Sequence, residues 1–361
     1  MRTLMIMAGG TGGHVYPALA VARALAGRGV SIVWLGTRRG IEARVVPAAG
    51  YPVAWIRIRG LRGKGVVGWL LAPLRLALAL AQAVAAILRH RPDALLGMGG
   101  FAAGPGGLAA WLLRRPLLVH EANAIAGLTN RLLARLADRV MTGFPACRGL
   151  SGDKVIYTGN PVRPEIAALP APEARLPAAP PARLRLLVVG GSQGARVFNQ
   201  TVPAALGRLA PERRPEVWHQ CGRGNGEATR AAYRAAGVAD ARVEEFIDDM
   251  ARAYGWTHLA LCRAGAMTVA ELAGAGCPAI LVPYPHAAGD HQSANARFLA
   301  DAGAALLIPQ AEFDAGRLAD HLAALAGDWE GVRRRARRAH RLGRPQATSE
   351  VARICLETLR A

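Results

Sequence analysis

The 361-residue chain is poor in several residue classes, and each shortage excludes something. Five cysteines, Cys147, Cys221, Cys262, Cys277 and Cys355, are odd in number and never spaced as CxxC. That argues against a disulfide framework and a zinc finger, and it fits a reducing cytoplasm. Aromatic residues are scarce, with 7 Trp, 6 Tyr and 6 Phe, and no basic run is interleaved with them. Single-strand nucleic-acid binding therefore loses its stacking platform, and no nucleic-acid partner is expected. A long uninterrupted apolar run is also missing. The longest, 66–88, is broken by Pro73, Arg75 and Gln82; a guanidinium near its centre argues against a membrane span. The apolar run at 3–8 is too short for the core of a signal peptide, and none is expected.

What remains is an apolar, basic chain. Hydrophobic residues make up 52% and charged residues 19%, enough to build a sizeable core and to exclude global disorder. The 42 glycines and 23 prolines follow no G-X-Y period, which excludes collagen. The net charge of +20 is unevenly placed: residues 1–165 hold 21 basic and 6 acidic residues, residues 166–361 hold 24 and 19. A positive field on the first half suits phosphorylated substrates or anionic lipid.

Short apolar runs at 3–8, 31–35, 94–98 and 117–120 read as buried strands, with helices over 15–26, 68–89, 107–113 and 128–136 between them. This alternation implies a parallel, doubly wound sheet. Seven prolines between Pro161 and Pro181 then read as an inter-domain linker. After it the pattern restarts, with strands expected at 184–189, 216–220, 259–262, 279–282 and 305–308 and a helix from about 196. The reading is two similar α/β domains facing one another, 1–162 and 163–344. A terminal helix within about 345–361 is expected to pack back on the first domain.

Three glycine-rich turns follow strands: Gly9-Gly10-Thr11-Gly12-Gly13-His14, Gly97-Met98-Gly99-Gly100 and Gly190-Gly191-Ser192-Gln193-Gly194-Ala195. Glycines let the backbone approach a ligand, and the next helix offers unpaired N–H groups and a positive dipole end, a setting for phosphate. Any one such turn is usually only a tight connection. Three of them, opening at the carboxyl ends of strands, point to a ligand cleft. Val15 stands where a dinucleotide fingerprint needs glycine, and no Lys-Ser/Thr pair completes a P-loop. A lone histidine is more often structural. His14, however, sits among glycines at a helix start, where the dipole disfavours imidazolium and keeps the ring in the form a general base needs.

These residues, with Gly60-Leu61-Arg62-Gly63-Lys64-Gly65, His120-Glu121-Ala122-Asn123, Gly159-Asn160-Pro161-Val162-Arg163, Glu245-Phe246-Ile247-Asp248-Asp249-Met250 and Cys262-Arg263-Ala264-Gly265-Ala266, run in one order along most of the chain. Together they resemble the bacterial family of UDP-N-acetylglucosamine:lipid I N-acetylglucosaminyltransferases, the MurG family. The resemblance implies a GT-B fold, two facing Rossmann-like domains with an interdomain cleft. It also implies inverting transfer of GlcNAc from UDP-GlcNAc to the C4 hydroxyl of undecaprenyl-diphospho-MurNAc-pentapeptide (lipid I), giving lipid II for peptidoglycan.

Residue by residue, it implies His14 as base, with Thr11, Gly12 and Gly13 approaching the sugar and acceptor diphosphate. Gly10, Gly99, Gly100 and Glu121 fall in the acceptor diphosphate loops. Ile247 would meet uracil through its backbone and Glu271 the ribose hydroxyls. Ser192 and the segment Ala266, Met267, Thr268, Val269 and Ala270 would cradle the donor diphosphate, with Arg163 adding charge. Asn123 and Gln292 would bind GlcNAc hydroxyls. There is no DxD motif, so neither a metal nor another cofactor is expected.

Leu70, Leu74 and Leu78 recur at helical spacing, with Arg57, Arg59, Arg62, Lys64 and Arg75 around them. They read either as a core helix or as an apolar patch with a basic rim on anionic lipid. The resemblance places Leu70, Leu74, Leu80 and Trp111 in such a patch. It implies a peripheral protein on the cytoplasmic face of the inner membrane, near the cell-wall and division machinery. Two alternatives stay open: a related GT-B transferase or UDP-sugar epimerase, and a non-catalytic scaffold of the wall machinery.

Overall fold

The computed structural model describes residues 2–58, 72–191 and 193–360. Leu70, Ser192, Arg59, Arg62, Lys64, the Gly60–Gly65 block and the start of the helix expected from 68 lie outside the described residues. The chain divides into two units, Met1–Arg163 with Pro345–Ala361, and Pro164–Arg344.

In the first unit the described strands are β1 (Thr3–Met7), β2 (Ser31–Gly36), β3 (Val53–Trp55), β4 (Ala94–Gly97), β5 (Leu117–Glu121), β6 (Arg139–Thr142) and β7 (Val155–Tyr157). They form one sheet in the order β3-β2-β1-β4-β5-β6-β7, parallel throughout. Leu4 and Ile6 point into one core layer, with Val15, Leu19 and Ala22 of the Gly12–Ala26 helix. Met5 and Met7 point into the other, with Ala83 and Ile87 of the Ala72–His90 helix and Ala109 of the Ala103–Leu112 helix. This period of two, buried on both faces, is why β1 reads as a continuous apolar run. The Ala347–Arg360 helix adds Val351, Ile354, Cys355 and Leu359 to the first layer. Thr348 Oγ1 donates to the Val162 carbonyl at 3.4 Å.

The second unit repeats the plan with β8 (Arg185–Val189), β9 (Glu216–Gln220), β10 (Arg242–Glu244), β11 (Leu259–Cys262), β12 (Ala279–Leu281) and β13 (Ala305–Leu307). Their order is β10-β9-β8-β11-β12-β13, again all parallel. Leu186, Val188, Leu261 and Ile280 meet Phe198, Val202, Leu318 and Val332 in its core.

Two sequence expectations need correction. The proline-rich stretch is not a free linker. It forms two short helices, Pro164–Ala167 and Pro172–Arg175, and docks on the second unit. The Arg175 guanidinium donates to the carbonyls of Tyr254, Thr257, Ala275 and Gly276 at 2.9–3.2 Å. Trp329 Nε1 donates to the Pro177 carbonyl, and Leu176 is buried. Further, the helix expected over 107–113 begins four residues earlier, at Ala103, because its glycines pack where side chains would not fit. A Cβ on Gly106 would run into Met7, and one on Gly107 into Leu133.

The 72–90 helix is long and apolar enough to cross a membrane by length and composition. One face, Ala79, Ala83 and Ile87, is nevertheless buried in the core, while Leu74, Leu76, Leu78 and Leu88 are exposed. Leu80, expected in the exposed patch, is half-buried and packs against the core. Trp111, on the adjoining helix, is exposed.

Buried histidines set the acid stability. His219, on β9, has Nε2 3.1 Å from Asn199 Oδ1 and Nδ1 2.8 Å from the Tyr233 hydroxyl. Asn199 Nδ2 donates to the Cys221 carbonyl, so Oδ1 is the acceptor and His219 is a neutral ring with both nitrogens satisfied. Burial pushes its pKa down to about 3. The unfolded chain takes up this proton near pH 6.5 and the folded chain does not until about pH 3. The contribution is therefore intact above about pH 6.5 and falls by about 1.4 kcal/mol per pH unit as the pH drops below it. His219→Gln, measured by urea unfolding between pH 6.5 and 5, should remove one such increment from the slope. Arg175→Met should cost about 2–4 kcal/mol in the same assay at pH 7, since it strips charge-assisted donors from buried carbonyls.

Candidate functional site

In each unit the chain reverses its winding between two adjacent strands. In the first, β1 feeds the Gly12–Ala26 helix towards β2, whereas neighbouring β4 feeds the Ala103–Leu112 helix towards β5. In the second, β8 and neighbouring β11 do the same through the Arg196–Gly207 and Ala266–Gly274 helices. The carboxyl ends at such a reversal leave a crevice between two helix starts. All three glycine-rich turns lie at these ends.

In the first mouth the two turns touch through backbone. Gly9 N–H donates to the Gly99 carbonyl at 3.3 Å. Gly99 and Gly100 take positive φ, +100° and +88°, and a Cβ on Gly100 would run into the Gly9 carbonyl. The His14 ring lies over Gly99, where a Cβ would stand 2.7 Å from Cδ2. His14 Nδ1 is 3.3 Å from the Gly9 carbonyl oxygen and 3.5 Å from Thr11 Oγ1. A carbonyl only accepts, so a hydrogen bond at the Gly9 contact puts the proton on Nδ1.

The loop's amides divide into two sets. Gly10 N–H donates to Glu42 Oε2 at 2.9 Å and is spent inside the fold. Gly10, with φ +88°, shapes the turn. Thr11, Gly12 and Gly13 precede the first intrahelical donor, and no side chain or acidic residue caps the helix.

Glu121 is 3% exposed. Oε1 accepts from Asn123 N and Nδ2, and Oε2 from Gly127 N and Asn130 Nδ2, at 2.8–3.1 Å. With these four donors it holds together the loop that carries Asn123. Asn160 Nδ2 braces the same loop at the Ala122 carbonyl. Arg163 is half-buried at the end of the first unit.

In the second mouth Gly190, Gly194 and Gly222 pack backbone on backbone. A Cβ on Gly190 would stand 2.5 Å from the Ala195 nitrogen, and one on Gly194 would run into the Cys221 carbonyl. Gln220 Nε2 ties the turns together by donating to the Gly191 and Glu245 carbonyls at 3.0 and 2.9 Å. Ile247 is buried and anchors its loop, while Phe246 beside it is exposed.

Gly265 precedes the Ala266–Gly274 helix in extended conformation, again without a side-chain cap. Val269 N–H already donates to the Gly265 carbonyl at 2.9 Å. Of the segment expected to cradle the diphosphate, Ala266, Met267 and Thr268 precede the first bond of the helix, and Val269 and Ala270 belong to its ladder. Glu271 is 8% exposed and accepts from the Tyr254 hydroxyl at 3.3 Å. Gln292 Oε1 accepts from Tyr284 N–H at 2.9 Å. Asn295 Nδ2 supports the Ala264 carbonyl just before the helix.

Asp249, Asp314 and Asp328 cap their helices through their side chains, whereas the Gly12–Ala26 and Ala266–Gly274 helices share the lack of such a cap with others, among them Leu128–Leu136, Gly226–Ala235 and His291–Ala300. An uncapped helix start leaves its first-turn amides open to an anion. The sequence reading missed Glu42, Gln220, Asn199 and Asn295. Their signal is a polar residue set inside or directly beside an apolar run.

Comparison with known proteins accords with this plan. Residues 4–142 match the model of the glycosyltransferase family 28 N-terminal domain, and 185–350 that of its C-terminal domain. A protein of Alkalilimnicola ehrlichii is 57% identical over 99% of both chains, and one of Nitrosococcus oceani 56% identical over 98% of both. Both are named UDP-N-acetylglucosamine--N-acetylmuramyl-(pentapeptide) pyrophosphoryl-undecaprenol N-acetylglucosamine transferase. The crystal structure of Acinetobacter baumannii MurG superposes with a TM-score of 0.85 at 39% identity, over 99% of this chain and 100% of that one. With both domains matched and relatives this near along the whole length, the chain has the GT-B fold and belongs to glycosyltransferase family 28, in its MurG family.

Proposed function

We infer that the chain transfers GlcNAc from UDP-GlcNAc, with inversion, to the C4 hydroxyl of MurNAc in undecaprenyl-diphospho-MurNAc-pentapeptide, forming lipid II. The observation that carries this reading is the full-length likeness to proteins named for that transfer, on a chain that keeps both uncapped mouths. His14 Nε2 takes the hydroxyl proton as the oxygen attacks the anomeric carbon. The bond from that carbon to the β-phosphate oxygen breaks, and UDP departs on the opposite face. General-base help of this kind is worth about 10²–10⁴-fold.

The second unit holds the donor. The amides of Ala266, Met267 and Thr268, Ser192 with its glycine turn, and Arg163 offset charge on the leaving diphosphate. Ile247 meets the uracil through its backbone, and Glu271 meets the ribose. Asn123 and Gln292 take GlcNAc hydroxyls. The first unit holds the acceptor, with the amides of Thr11, Gly12, Gly13, Gly99 and Gly100 at its diphosphate.

An acceptor anchored in lipid requires the enzyme at the bilayer. Exposed Leu74, Leu76 and Leu78, beside Arg75 and exposed Trp111, support a peripheral seat on anionic cytoplasmic lipid. Contact with the cell-wall and division machinery follows from the same location.

The decisive assay is transfer of radiolabelled GlcNAc to a short-chain lipid I analogue, with UDP-GalNAc as the competing donor. Label should move to the analogue from UDP-GlcNAc, and conversion of free UDP-GlcNAc without acceptor would instead support an epimerase. His14→Ala should lower turnover at least about 100-fold, with UDP affinity and the unfolding midpoint unchanged. In flotation with anionic liposomes, the double variant Leu74→Ser, Leu78→Ser should lose most binding, and wild-type binding should weaken with salt. Binding indifferent to both would remove the membrane part of the reading.

A further inference from the structure

Beneath the first glycine turn lies a carboxylate that the reaction as written above does not use. Glu42, in the first turn of the Glu42–Ala48 helix, is fully buried. Its Oε1 accepts from Thr37 N at 3.1 Å and Thr37 Oγ1 at 2.7 Å, and its Oε2 accepts from Gly10 N at 2.9 Å. Every contact is a donor aimed at the group, the pattern of a carboxylate that only accepts. The pocket around it is cut to shape by glycines. A Cβ on Gly9 would stand 2.6 Å from Oε1, and one on Gly40 would run into the carboxylate.

The bond to Gly10 matters because of what shares its peptide plane. The Gly9–Gly10 peptide is trans, so its N–H and C=O point in opposite directions. Glu42 holds the N–H end, and the Gly9 carbonyl at the other end lies 3.3 Å from His14 Nδ1. Neighbouring groups are pinned as well: Trp34 Nε1 donates to the Ala8 carbonyl at 2.8 Å, and Gly9 N–H to the Gly99 carbonyl. The peptide cannot flip without breaking these bonds.

Resting on the general-base reading of His14, we propose that Glu42 is a positioning residue: through the Gly9–Gly10 peptide it fixes the tautomer and direction of the His14 ring and favours the imidazolium that forms during transfer. A negative charge on the N–H end polarises the carbonyl end, since hydrogen bonds in a chain strengthen one another. The relay does through a peptide what a carboxylate bonded directly to histidine does elsewhere. Thr11, Gly99 and Gly9 meet the His14 ring, and Thr37, Gly9, Gly10, Gly36 and Gly40 surround the Glu42 carboxylate.

Two measurements on the full chain test this. Imidazole ¹⁵N–¹H correlation spectra, with His14 assigned by its loss in His14→Ala, should show the proton on Nδ1. A ring protonated on Nε2 alone would overturn the proposal, and this arm needs neither turnover nor a Glu42 variant. Glu42→Gln keeps an acceptor for Gly10 N–H and removes the charge. It should lower kcat about tenfold, move the acid limb of the pH–rate profile down by about one unit, and leave KM for UDP-GlcNAc unchanged. A profile identical to wild type would overturn the proposal. So would equal loss in kcat and affinity with a lowered unfolding midpoint, the mark of a merely structural role. If the wild-type protein transfers no GlcNAc, the functional reading fails, and the tautomer measurement still decides the fate of the relay.

Discussion

The structure depends on unpaired backbone amides at the points where a parallel sheet reverses its winding. Two helices start side by side at each such point, and the first-turn N–H groups of each have no carbonyl behind them. An ordinary protein helix meets this with an Asp or Ser cap, as Asp249, Asp314 and Asp328 do here. At β1/β4 and β8/β11 the residues that open the four helices are Thr11, Ala102, Ala195 and Gly265, none of which caps through its side chain, and glycines fill the turns beside them. The absence of side chains in those turns lets neighbouring turns pack backbone against backbone.

Such turns are soft unless something holds them, because glycine has the most conformational freedom to lose. The chain supplies the rigidity from below with buried polar side chains bonded to the loop backbone. Glu42 and Trp34 hold residues 8–10, Glu121 and Asn160 hold 122–127, Gln220 ties 191 to 245, and Asn295 holds 264. Each is a polar group that would be costly to bury alone, and its hydrogen bonds to the loop backbone offset part of that cost. The glycine-rich loops are thus held in place from inside the fold, the condition under which fixed dipoles stabilise a developing charge without reorganising.

This division explains which features the sequence made legible. Gly9–His14, Gly97–Gly100 and Gly190–Ala195 stood out because three glycine clusters recur directly after apolar runs on one chain, and β1, β5 and β8 stood out because burial on both faces removes polar alternation. Strands β3, β7 and β10 did not: each is three residues long and partly exposed at a sheet edge, whereas the equally short β12 and β13 lie in the apolar runs 279–282 and 305–308. The proline-rich stretch was misread because its order comes from Arg175 reaching carbonyls 79 to 101 residues away, a bond no local window contains. Glu42 was easy to pass over for a related reason. Beside Arg39 and Arg44 it looks like a surface charge, and only the fold brings Gly10 above it.

The 72–90 helix shows the same logic on a larger scale. Apolar composition by itself could not decide between core and lipid, and the helix turns out to serve the core with one face and to leave leucines outward on the other. Its inward face is built of small residues, Ala79 and Ala83, which let the helix lie close to the sheet; its outward face is built of Leu74, Leu76 and Leu78, which no part of the described chain covers. Leaving that much apolar surface in water is unfavourable for a monomer unless something apolar covers it. The leucines stand on the same compact unit as His14. On the function proposed above, the base and the membrane contact would therefore share one sheet and its helices, and these would set the distance from lipid surface to acceptor hydroxyl.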